Sequence, residues 1–144
     1  MKHLGTRTAL VITGALLAAI GSWMMAQPRI FLAMSEVIVE PDPGLMSEVT
    51  ASSGLLIIVG AFMIISAIKV RLASLGLVAG AVVYGSYGFS RLVSQDLHGT
   101  PSYSLVVAMY FELAIAVMLL ALNFKIQAAN PPQWKPPFHQ EMTQ

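Results

Sequence analysis

Four long apolar runs, each closed by a short polar interruption, set the pattern of this chain; they cover about 8–26, 49–70, 72–93 and 102–124. Each is close to the ~20 apolar residues that a helix needs to cross ~30 Å of hydrocarbon. The pattern therefore predicts an all-α membrane protein, a bundle of four transmembrane helices. A backbone in lipid must satisfy its own hydrogen bonds, which leaves no other form for runs of this length. The basic opening MKHLGTR before the first run resembles the start of a signal peptide. However, Met24 stands where a cleavage site wants a small residue, and the run reads as an uncleaved first span.

The interruptions differ in character. Pro28 ends the first helix, and the piece 29–48 is too short and too acidic to cross again. Within it Ile30, Phe31, Leu32 and Met34 suggest a short amphipathic turn in the interface, followed by a turn at Pro41, Pro43 and Gly44 and a helix cap at Ser47. Its acids, Glu36, Glu40 and Asp42, read as a solvated loop and lack the spacing of a calcium loop. Lys69 to Arg71 leaves so little chain between the second and third spans that they form an antiparallel hairpin. The loop 94–101 joins the third span to the fourth. A polar tail, 127–144, follows, and no internal repeat divides the chain into two inverted halves.

Composition sharpens this picture in three ways. With 56% hydrophobic and 10% charged residues and a mean hydropathy of +0.73, the chain is wrong for a soluble globule. A net charge of +1, with Lys and Arg scattered singly, argues against a nucleic-acid partner. No cysteine is present, so disulfides and thiolate metal sites are excluded. Lys2, Arg7, Lys69, Arg71, Lys125 and Lys135 fall on one side of the four spans, against Arg29 and Arg91 on the other. The positive-inside tendency then places both termini in the cytoplasm.

Helix association in lipid relies on close packing, so small residues mark the expected contacts. Gly76, Gly80 and Gly85 of the third span, with Ala81 and Gly88, and Gly14, Ala18 and Ser22 of the first, carry that spacing. The polar residues at depth are fewer. Glu112 stands ten residues into the fourth run, roughly 15 Å from its start, where a carboxylate must find a donor. Counted outward from a turn at His98, Tyr84 is level with it, which predicts a Tyr84–Glu112 hydrogen bond. Tyr84, Tyr87 and Arg91 share a helix face, and Glu48 at the outer end of the second span is the acid favoured for Arg91. Glu48, Tyr84, Tyr87, Arg91 and Glu112 form either a polar clasp that fixes helix register or an outward-facing pocket for a lipophilic or anionic ligand.

Several motifs together resemble a known family. Pro28 after the first helix, Glu48 in SEVTASSGL, Arg91 in SRL, Gly99 and Pro101 in HGTP, and Glu112 in YFELA are similar to the bacterial four-helix membrane proteins grouped as domain of unknown function number 4345, DoxX-like in architecture. The chain departs from that pattern at Thr50, where the family has Arg, at Ser52, Ser53 and Gly54, where it has Tyr-Gly-Gly, and at His98, where it has Asp. The resemblance implies a fold and a place in the bacterial cytoplasmic membrane, and no activity.

No reaction-competent set is visible. His3, His98 and His139 lie outside the spans, so neither a metal site nor a haem is expected, and no cofactor follows from the chain. The reading this favours is a structural or accessory membrane subunit, in contact with lipids and with another membrane protein or a second copy. Trp134 and Phe138 in the proline-rich tail are its candidate anchors. The alternative is a binder, carrier or enzyme for a lipophilic small molecule.

Overall fold

A computed structural model describes residues 4–37, 40 and 42–129, and among them every regular element is helical. The order is α1 (Leu4–Ala26), α2 (Pro28–Met34), α3 (Pro43–Ile68), a 3-10 turn (Val70–Leu72), α4 (Ala73–His98) and α5 (Tyr103–Ala129). The helices α1, α3, α4 (counted with the turn before it) and α5 are long and apolar enough to cross a membrane. Their outward faces carry bare apolar side chains: Ile58 is 69% exposed and Val117 67%, a surface suited to lipid rather than water. The tail residues Trp134 and Phe138 lie outside the described residues.

Helix ends fall where backbone chemistry, rather than hydropathy, puts them. At Asp42 the side chain caps α3 by accepting from the Leu45 amide at 2.8 Å, and Pro43 takes the first helical position, so the helix starts before the expected Ser47 cap. Pro28 likewise both follows α1 and opens α2. Past its apolar residues α4 runs on to His98 and stops at Gly99, whose φ of 93° and ψ of 171° leave the helical region for a conformation that favours glycine. Ile30 and Met34 of α2 are exposed while Phe31 is half-buried, the two-sided character expected of an interfacial helix.

The long helices form two intimate antiparallel pairs, α1 with α3 and α4 with α5, and α3 and α4 join the pairs through their short turn. Small residues set the closest approach. A Cβ on Gly60 would meet the Gly14 carbonyl oxygen at 2.6 Å and the Ala18 amide nitrogen at 2.7 Å. One on Gly21 would meet the Ser53 carbonyl at 2.8 Å, so α1 and α3 touch backbone to backbone at two levels. Gly14 and Ala18 thus stand where the small-residue spacing put them, but Gly21 takes the role expected of Ser22, which is exposed. Gly76 lies against Ser66, and Gly80 against Met63 and Leu119, so this stretch of α4 packs mainly on α3. Gly88 and Gly85 face Leu113 and Ala116 of α5, with ordinary room at Gly85, where the added carbon would sit 3.6 Å from Ala116.

The buried serines of α3 satisfy themselves locally. Ser53 and Ser66 are fully buried, and each hydroxyl donates to a carbonyl in the preceding turn of its own helix, at 2.7 Å to Thr50 and to Phe62 respectively. Between helices, Ser74 donates to Asn123 at 2.7 Å and ties the start of α4 to the end of α5. At the opposite end Ser102 donates to the Ser35 carbonyl at 3.0 Å and ties α5 to the chain leaving α2.

Candidate functional site

Because α1 pairs with α3 and α4 with α5, α1 and α5 meet at few points. The space between them is a cavity of about 350 Å³. Leu16 and Ile20 of α1 wall one side, Phe111 and Ile115 of α5 the other, Tyr84, Tyr87 and Arg91 of α4 form the back, and Phe31 of α2 borders it near the end of α1. Phe31 is held there by an edge-on contact with Trp23, their ring centroids 6.0 Å apart. Glu112 also lines the space. The lining is mostly apolar with a few convergent polar groups, the usual make-up of a small-molecule site.

Arg91 and Glu112 form a salt bridge on the cavity wall, Nε donating to Oε2 at 3.1 Å. The pairing follows from helix register. Gly88 faces Leu113 and Gly85 faces Ala116, which sets Glu112 level with Phe89, only two residues from Arg91. The sequence count had placed Tyr84 at that level because it folded the chain at His98. In fact Gly99 to Ser102 is non-helical, and the pivot falls beyond Gly99. Two expectations are corrected accordingly: Tyr84 does not bond Glu112, and Arg91 does not pair with Glu48. The Tyr84 hydroxyl donates instead to the Thr13 carbonyl of α1 at 2.7 Å. Glu48 is exposed in the second turn of α3 and takes no part in the cavity.

Four of the five expected polar residues, Tyr84, Tyr87, Arg91 and Glu112, therefore share one site, and Glu48 does not. Sequence reading missed Phe31 as a wall residue, although its place in a short amphipathic helix was visible. Gln95, one turn beyond Arg91 on the same face of α4, has a buried Oε1 with no hydrogen-bond partner among the described residues, but it does not line the cavity. No group of three or more metal-ligating side chains occurs among the described residues.

The family comparison bears on the same segment. Residues 5–123 match the family described as Domain of unknown function (DUF4345). The chain belongs to the DUF4345 family. No curated protein and no solved structure matches it. In this DUF4345 protein the matched segment takes in all of α2, α3 and α4, nearly all of α1 and α5 as far as Asn123, and with them every residue that lines the cavity.

Tyr84→Phe gives a measurable check on the back wall. The Thr13 carbonyl keeps its helical position when the hydroxyl is lost, so no buried acceptor is created, and the change is expected to cost only about 0.5–1 kcal/mol. A thermal unfolding series in detergent would read this as a small fall in midpoint. A large loss would mean that Tyr84 carries more of the α1–α4 contact than a single bond.

Proposed function

We propose that this DUF4345 protein binds a lipophilic small molecule in the bacterial cytoplasmic membrane, using the cavity between α1 and α5. The observation that carries the reading is that side chains leave this space open while an ion pair borders it. A clasp serving only to fix helix register would be expected to close on itself, since dispersion and close packing are what hold such helices together. Here Arg91 and Glu112 remain 29% and 18% exposed along their side chains. Both termini face the cytoplasm in this reading. The preponderance of Lys and Arg in the first segment, the α3–α4 turn and the end of α5 supports that orientation.

The candidate anchors of the accessory-subunit reading, Trp134 and Phe138, lie outside the described residues, and the reading rests otherwise on the lack of a reaction-competent set, so the cavity is the stronger observation. Native mass spectrometry of protein purified in mild detergent tests the proposal. Wild-type protein is expected to retain one class of bound lipophile. Ala108→Trp, which fills the cavity from α5, is expected to lose it while keeping its unfolding midpoint. Identical adducts on both proteins, or none on either, would remove the cavity from the function.

A further inference from the structure

Building on that reading, we propose that the occupant is an uncharged, single-tailed amphiphile whose hydroxyl or carbonyl head lies against Arg91 and Glu112 and whose tail leaves sideways between α1 and α5. Charge decides the head. The salt bridge joins one cation to one anion, so the wall as built is neutral. An anionic head approaching Arg91 also approaches the Glu112 carboxylate, and a cationic head meets the reverse conflict. Each would bring an unbalanced charge into an apolar enclosure. A neutral head meets no such conflict.

The unused hydrogen-bonding capacity of the pair fits such a head. Only Nε of Arg91 and Oε2 of Glu112 are engaged with each other. The two Nη groups remain as donors and Oε1 as an acceptor, with no hydrogen bond to any described residue. A hydroxyl can accept from the first and donate to the second. A carbonyl can use the guanidinium alone.

Size and position decide the tail. At ~30 Å³ for each small group, the cavity holds on the order of ten non-hydrogen atoms, enough for a head and the first few methylenes. The remainder of a long chain has one apolar way out. Leu16 on α1 and Phe111 on α5 both line the cavity and are 44% and 67% exposed, so the gap between those helices opens onto the lipid-facing surface. A branched head that carries two acyl chains needs more than about ten non-hydrogen atoms before its chains leave, more than this space holds.

Photolabelling of the full chain in nanodiscs tests the inference with one label and three competitors of matched chain. The label is oleyl alcohol carrying a diazirine in its tail; the competitors are oleyl alcohol, oleate above its titration range, and octadecene. Saturable labelling is expected at Leu16, Phe111 and their neighbours, competed at least about tenfold better by the alcohol than by oleate or octadecene. In the Arg91→Leu, Glu112→Leu double variant, the alcohol should lose that advantage over octadecene. Competition by oleate equal to or better than the alcohol would overturn the neutral head, and equal competition by octadecene would overturn head recognition. Either result leaves the cavity as a binding site. Labelling confined to outer faces such as Ile58 and Ile65, or labelling that does not saturate with any competitor, would overturn both this inference and the binding function it rests on. Unchanged alcohol preference in a folded double variant would move the head away from the ion pair.

Discussion

Gly60→Leu is expected to destabilise the bundle by about 3 kcal/mol, at the upper end of the usual cost of overpacking. A Cβ at this position already meets the Gly14 carbonyl and the Ala18 amide nitrogen, and backbone cannot turn aside as a flexible side chain can. The helices α1 and α3 would have to separate, and with them the second contact at Gly21 and Ser53. Gly5→Ala is the matched control, because nothing lies within 4 Å of the added carbon; it is expected to leave the unfolding midpoint unchanged or slightly raised. Measured side by side in one detergent, equal midpoints for the two variants would show that the α1–α3 contact is looser than described.

Glu112→Leu should cost about 2 kcal/mol, and the second substitution Arg91→Leu should restore most of it. The single change leaves a guanidinium without its counterion some two turns inside α4, an expensive position in an apolar surrounding. Breaking a fully buried pair costs more; partial exposure of both side chains lowers the figure here. Replacing both removes the charge along with its partner, and the two leucines are compatible with the apolar wall. A double-mutant cycle on unfolding midpoints reads the difference directly. Additive losses would mean that Arg91 and Glu112 stabilise the protein through separate contacts.

Much of the architecture was legible because lipid allows so few solutions. The four runs at 8–26, 49–70, 72–93 and 102–124 each became one crossing helix. Their ends shifted because hydropathy reports where the chain is apolar, whereas a helix stops where its hydrogen bonding is interrupted. Asp42 with Pro43 extended α3 backward and Gly99 set the end of α4. The α1–α3 contact was half visible. Spacing by four found Gly14 and Ala18, but the two levels of contact are seven residues apart on both helices, Gly14 and Gly21 against Gly60 and Ser53. That matched spacing lies in the sequence and would have named the pair.

The site was legible in its residue types and not in its connections. Arginine, glutamate and two tyrosines at depth in apolar runs announce that polar groups must meet. Which ones meet depends on register, and a shift of a few residues at the Gly99–Ser102 connection moved the partner of Glu112 from Tyr84 to Arg91. A pocket at these residues stood in the sequence only as the alternative to a closed clasp, and its walls on α1 and α5 were beyond reach of pattern. It exists because α1 and α5 each pack elsewhere, a property of the whole assembly that no local spacing records.

An experimental density map of the wild-type protein in a lipid nanodisc bears on all of this most directly. Elongated density is expected between Leu16 and Phe111, with its inner end within hydrogen-bonding distance of an Arg91 that still holds Glu112. A map in which α1 and α5 close against each other, with side chains filling that space, would contradict it.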